Sequence, residues 1–176
     1  MSTFTIPDNI YLLGMPGSGK STLGIALSEQ LRIAFFDLDQ YIEYQAGKHI
    51  SQIFTEDGED GFRVLENNCL RRLSEQSYPK VIATGGGTPC FHHNIDYIIN
   101  NGVGIFLDVP LKIIAERLIR QGTEGRPLLK DKTPRELQGQ LQDHFLKRKT
   151  YYLKAQIHME GPSITMADIV EALKAI

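Results

Sequence analysis

The chain has 176 residues, 41% of them hydrophobic and 23% charged, a balance that suits one globular domain able to bury its own core. Its 19 basic and 21 acidic side chains leave a formal net charge of −2, which argues against the broad basic footprint of a nucleic-acid binder. No apolar run nears the roughly 18 residues of a membrane span, and residues 1–8 show no basic region leading into an apolar one, so neither a membrane anchor nor a secretory leader is expected.

Strand and helix signals alternate along the chain, the pattern of an α/β sheet with parallel strands. Asn9-Ile-Tyr-Leu-Leu13 reads as a short buried strand. Leu23, Ala26, Leu27 and Leu31 then recur at helical spacing over 20–31. A second strand is expected at 34–37. Ile50, Ile53 and Phe54 begin another helical stretch, and Phe62, Leu65, Cys69, Leu70 and Leu73 mark one face of a longer helix. The third strand, 80–84, runs into three consecutive glycines. The fourth spans 103–108, and Pro110 opens the next helix, where no N–H is needed. The polar segment 121–132 carries Gly122, Gly125, Arg126 and Pro127; it reads either as a surface loop or as a lid that closes over a ligand. Thr133-Pro-Arg-Glu136 is a capping box that starts a helix. A weak fifth strand at 155–159 and a cap at Thr165 before a terminal helix, 169–175, complete the pattern.

The cysteines, Cys69 and Cys90, fit neither a zinc cluster nor a disulfide framework. They read as small buried apolar side chains in a protein of a reducing compartment. His92 and His93 read as a surface pair at a helix start.

Gly14-Met-Pro-Gly-Ser-Gly19-Lys20-Ser21 fits G-x-x-x-x-G-K-[ST] in full, between an expected strand and an expected helix. Its glycines let backbone N–H groups converge, and the helix N-terminus adds partial positive charge. Lys20 brings a full charge toward the β- and γ-phosphates, and the Ser21 hydroxyl is placed to ligate Mg²⁺. The chain is therefore expected to bind a nucleoside triphosphate.

Four features bear on the second substrate, each with two readings. Asp37 and Asp39 sit at i and i+2 of a strand end, on one face, where they can serve a cation or a hydroxyl; otherwise they form a solvated strand end with Asp39 capping a helix. Arg63 lies one turn from both Glu59 and Glu66, so it is either an anion ligand or a rung of a surface ion-pair ladder. Gly85-Gly86-Gly87 permits close backbone approach to a ligand, or forms a flexible turn. The later arginines, Arg117, Arg120, Arg126 and Arg148, can match carboxylate or phosphate oxygens in two-point contacts; for Arg117 a solvated helix face is the favoured reading.

Together these residues resemble shikimate kinase. The similarity runs through Gly14 to Thr22, Asp37-x-Asp39, Glu43, Gly47, Ile50, Ile53-Phe54, Gly58-Glu59, Phe62-Arg63 and Glu66. It continues through the glycine triplet, 106–110, Arg126-Pro127-Leu128-Leu129, and Arg148 with Tyr152 and Ala155, so that it covers about residues 9–157. Gln156 stands where family members often carry an acid.

The resemblance implies a three-layer α/β kinase fold with the phosphate loop and a five-stranded parallel sheet flanked by helices. It implies one domain over 1–176, a substrate-binding segment at about 37–66 and a mobile lid at about 121–132. The implied reaction is ATP-dependent phosphorylation of the 3-hydroxyl of shikimate. Lys20, Asp39 and Arg126 would be catalytic. Gly17, Ser18, Gly19, Lys20, Ser21, Thr22, Arg120 and Arg126 would bind ATP, with Arg120 packing on adenine. Asp39, Arg63, Gly86, Gly87 and Arg148 would hold shikimate, and Ser21 with Asp37, through water, would serve Mg²⁺. A cytoplasmic monomer acting only on small molecules is expected. The rival readings are a gluconate-type or nucleotide kinase of the same fold and a non-catalytic nucleotide-binding module.

Overall fold

Successive side chains of Asn9–Leu13 leave opposite faces of the strand, and all five are buried. Tyr11 and Leu13 enter one hydrophobic cluster, Ile10 and Leu12 another. A strand buried on both faces belongs inside a parallel sheet. The computed structural model describes residues 5–120 and 133–176 and places it there. The strands β1 (Asn9–Leu13), β2 (Ala34–Asp37), β3 (Lys80–Ala83), β4 (Val103–Asp108) and β5 (Ile157–Glu160) form one parallel sheet in the order β2-β3-β1-β4-β5.

Helices α1 (Lys20–Leu31) and α7 (Met166–Lys174) cover the Ile10 face with Leu27, Ile169 and Leu173. The Tyr11 face is covered by α2 (Leu38–Ala46), α3 (Ile50–Ser74), α4 (Asn94–Asn100), α5 (Leu111–Arg120) and α6 (Pro134–Tyr152). The three layers are thus set by the two-residue period of the strands. The capping box expected at Thr133 is formed, and the cap expected at Thr165 is a capping box as well, starting α7 at Met166 rather than at 169.

Several boundaries differ from the sequence reading. The stretch 38–46, assigned to no element, is a helix. The helical signals at 50–54 and 62–73 belong to one element, α3, kinked at Gly58 (φ 70°, ψ −175°). β5 starts at Ile157 because Ala155 N–H still closes the end of α6 on Tyr152 O at 3.1 Å. Gln156 is a strut: its side chain accepts Gly104 N–H at 2.8 Å and donates to Ile99 O and Gly102 O at 2.9 Å. The expected lid, 121–132, lies outside the described residues. Among the described residues no helix is long and apolar enough to cross a membrane.

α1 lies close to the sheet because residue 24 is glycine: a Cβ there would stand 2.5 Å from the Phe35 ring. Gly24→Ala gains about 1 kcal/mol of helix propensity. Overpacking costs about 1–3 kcal/mol, so net destabilisation is expected, read as a lowered urea midpoint. An unchanged or raised midpoint would show that the ring moves aside freely.

Candidate active site

Because the strands are parallel, the chain leaves β1, β2 and β3 at one edge of the sheet, the edge where open α/β sheets bind ligands. The loop after β1 is the glycine-rich motif. Gly14 has φ 140°, and a Cβ there would meet Leu107 O at 2.8 Å, so both its conformation and its contact need glycine. Gly19, at φ 99°, turns the chain into α1. Lys20 folds back over the loop, its Nζ donating to Gly14 O and Met15 O, both at 2.9 Å.

A cavity of about 510 Å³ opens over this loop, lined by Gly17, Ser18, Gly19, Lys20, Ser21 and Thr22, with Val109, Ile164 and Arg117 opposite. The arginine here is Arg117, for which a solvated helix face is the favoured of two sequence readings. Its guanidinium donates to Pro162 O at 3.2 Å and reaches Gly17 O and Ser18 O at 3.4 Å. Arg120, one turn further along α5, is exposed and does not line the cavity. Arg126 lies outside the described residues.

The loop after β2 changes the reading of the acidic pair. β2 ends at Asp37 and α2 begins at Leu38, so the two carboxyls do not share a strand face. Asp37, not Asp39, is the helix cap: its Oδ1 accepts Asp39 N–H at 3.1 Å and Gln40 N–H at 3.4 Å. Its Oδ2 accepts the Ser21 hydroxyl at 2.7 Å, which brings a hydroxyl and a carboxyl together at the mouth of the phosphate loop. Oxygen donors of this kind suit Mg²⁺, which takes one or two protein oxygens and fills its octahedron with phosphate and water. Among the described residues no group of three or more His, Cys, Asp or Glu side chains is placed to hold a metal ion.

Asp39 stands at the rim of a second cavity of about 410 Å³. Arg63, Glu66, Gly85, Gly86, Gly87 and Arg148 line it, with Ile50, Phe54, Phe62, Leu137 and Leu141 as apolar walls. Glycines are needed on the β3 side: a Cβ at Gly87 would lie 2.7 Å from Arg63 Nη2, and one at Gly86 3.0 Å from Arg148 Nη1. Asp39 is open to solvent as a residue, yet its carboxyl is tucked against the loop, where a Gly85 Cβ would stand 3.0 Å from Oδ1. Burial there, reinforced by Asp37 and Glu66 and opposed by Lys20 and Arg63, pushes its pKa up to about 6.

Arg63 forms the ion-pair ladder, with Glu59 at 3.2 Å and Glu66 at 2.8 Å, and it also lines the cavity, its side chain only 11% exposed. Its guanidinium lies 4.1 Å from the Phe91 ring centre and 5.1 Å from that of Phe62. Glu66 is fully enclosed and takes a second donor, Thr88 Oγ1, at 2.6 Å. The sequence reading gave Glu66 no role of its own and missed Thr88, His144 and Gln140; the last two line the cavity from α6. Their spacing from Arg148 (four and eight residues on one helix) is the signal that places them on its face. Cys69 and Cys90 are not disulfide-bonded; burial pushes the Cys90 thiol up to about 11.

The two cavities share a thin wall. Pro16 and Leu118 face the second, and their chain neighbours Gly17 and Arg117 face the first. A polyanion on the loop and an anionic, hydroxylated acceptor beside Asp39 would therefore be close neighbours.

The sequence model of the shikimate kinase family matches residues 16–175. The shikimate kinase of Azobacteroides pseudotrichonymphae is 38% identical over 164 residues, 93% of this chain and 96% of the relative. The crystal structure of shikimate kinase from Bacteroides thetaiotaomicron superposes with a TM-score of 0.86 at 36% identity, covering 96% of each chain. The solved structure of shikimate kinase from Acinetobacter baumannii in complex with shikimate gives 0.82 at 33%, covering 96% of this chain and 90% of that one.

Proposed function

Since this chain belongs to the shikimate kinase family, we propose that its two cavities are the nucleotide and acceptor sites of one reaction, transfer of the γ-phosphoryl group of ATP to the 3-hydroxyl of shikimate. One observation carries the reading furthest. Asp39, Arg63 and Arg148, from three separate helices, meet the glycine triplet around one cavity that abuts the phosphate loop. Two guanidinium groups match a carboxylate, and a carboxyl of raised pKa matches a hydroxyl that must lose its proton.

In this reading the N–H groups of 17–22 cradle the phosphates, and Lys20 exchanges its two carbonyl partners for β- and γ-phosphate oxygens. Arg117 and Arg120 compete for the face of adenine, and the position of Arg117 in the cavity favours it. Ser21, with Asp37 through water, holds Mg²⁺, which supplies positive charge against the phosphate oxygens. Arg63 and Arg148 clamp the shikimate carboxylate, while Gly86 and Gly87 present backbone to the ring. Asp39 orients the 3-hydroxyl and takes its proton as the oxygen bonds to the γ-phosphorus and the bond to the β,γ-bridging oxygen breaks, releasing ADP. Arg126 neutralises the transferring group from the segment 121–132. We further propose that 1–176 works as one domain, as a monomer in the cytoplasm. A single family match over 16–175 supports the one domain, and two unpaired thiols support the reducing compartment.

A coupled ADP-release assay with Mg²⁺-ATP and shikimate, gluconate or AMP tests the reading. Turnover is expected with shikimate alone. Turnover with another acceptor, or with none added, would refute the assignment of the second cavity.

A pH dependence follows from Asp39. Its pKa near 6 means that kcat/KM falls about tenfold per unit below that value, as the carboxylate that accepts the proton is lost. Asp39→Asn should abolish that limb and lower kcat far more than it raises the ATP KM. The stability effect has the opposite sign. A carboxyl whose pKa rises on folding favours the fold below its unfolded value of about 3.9, and that contribution is lost as the pH rises through about 6. A flat kcat/KM profile between pH 5 and 7 would remove Asp39 from the role of base.

A further inference from the structure

We propose that Tyr152 is a positioning residue of the acceptor site, whose hydroxyl latches the Gly86–Gly87 peptide in one orientation; this rests on the acceptor reading above. A peptide flanked by glycines turns over with little steric resistance, and its C=O and N–H point to opposite sides of the trans plane. The triplet therefore needs an external contact to choose which side faces the acceptor.

Tyr152 supplies it: Oη donates to Gly86 O at 2.5 Å. The Gly86 carbonyl and the Gly87 N–H belong to the same peptide, so fixing the oxygen turns the N–H to the far side from Tyr152. Neighbouring groups of the loop are already used: Thr88 N–H bonds Gly85 O at 3.1 Å, and Cys90 N–H bonds Gly87 O at 2.9 Å. The Gly87 N–H has no backbone partner among the described residues, which leaves a donor at a residue that lines the acceptor cavity.

The latch is itself rigid. Tyr152 is fully buried, and its ring stacks on Phe106 with centres 5.0 Å apart. Of its other neighbours, Met15 Sδ at 3.8 Å is a weak acceptor and the Arg148 guanidinium can only donate to the phenol oxygen, so the hydroxyl proton goes to Gly86 O. Burial holds the phenol far above its ordinary pKa, so it stays a donor throughout the working pH range. It closes α6 one turn after Arg148, so the helix that carries the anion clamp also sets the glycine peptide.

Tyr152→Phe removes the hydroxyl and keeps the ring. The expected result is a rise in shikimate KM of about tenfold, the scale of one lost hydrogen bond, with the ATP KM unchanged. In ¹⁵N-glycine spectra of the wild type, the Gly87 amide should move most of the triplet when shikimate is added, and in the variant that movement should shrink. Equal rises in both KM values, or none, would overturn the latch. So would a Gly87 amide in the wild type that ignores shikimate, a result that needs no variant to fold. A wild-type chain that does not phosphorylate shikimate would refute the proposed function and the latch with it; an active wild type with an indifferent Tyr152→Phe would refute the latch alone.

Discussion

Lys20→Ala is expected to lower kcat by about a thousandfold, the upper end of what removing one aligned donor from a site of developing charge costs. The ammonium is buried against the loop, its position fixed by Gly14 O and Met15 O at 2.9 Å. It therefore stands beside the site of the phosphate oxygens, and among the described residues no other lysine lines the nucleotide cavity. Alanine also strands two loop carbonyls, so the ATP KM should rise as well. Steady-state ADP release by the variant, with circular dichroism to confirm its fold, is the check. A kcat near that of the wild type would take Lys20 out of the phosphate site.

Arg63→Ala should weaken shikimate binding by about 2–5 kcal/mol, roughly thirtyfold to a few thousandfold in Kd. The guanidinium is largely withdrawn from solvent between Phe62 and Phe91, so its bond to a carboxylate is poorly screened. The same substitution leaves Glu66 enclosed with Thr88 alone, a loss of about 3–5 kcal/mol of stability. Two effects from one residue can be separated: Arg63→Ala with Glu66→Gln should recover much of the stability and none of the affinity. Arg63→Lys should also bind weakly, because an ammonium cannot engage Glu66 and a substrate carboxylate as a planar fork does. Calorimetric titration reads the affinity and a urea transition the stability. An unchanged shikimate Kd would return Arg63 to the ion-pair ladder.

Local signals were the most legible. The turn into α1 after Gly19 and the caps at Thr133 and Thr165 depend on neighbours within a turn or two, and the structure has them where the sequence indicates. Boundaries set by a competing side chain were less so. Asp37 bonds two N–H groups beyond itself and starts α2 immediately after β2, which moves Asp39 off the strand. Choices between residues one turn apart were not legible. Which of Arg117 and Arg120 reaches the loop depends on how α5 seats against it. Gly17 fixes that seating, since a Cβ there would crowd Leu118 at 3.1 Å and Ile114 at 3.2 Å. Long-range contacts left no trace in the spacing: Glu66 meets Thr88, 22 residues away, and Tyr152 meets Gly86, 66 away.

The most direct test of the account is the structure of the product. After turnover with Mg²⁺-ATP and shikimate, a ³¹P–¹H correlation spectrum should show one phosphomonoester, coupled to the proton on carbon 3, in amounts equal to the ADP released. Phosphate on another ring oxygen would mean that Asp39 does not select the hydroxyl, and ADP with no organic phosphate would mean that the second cavity is not an acceptor site.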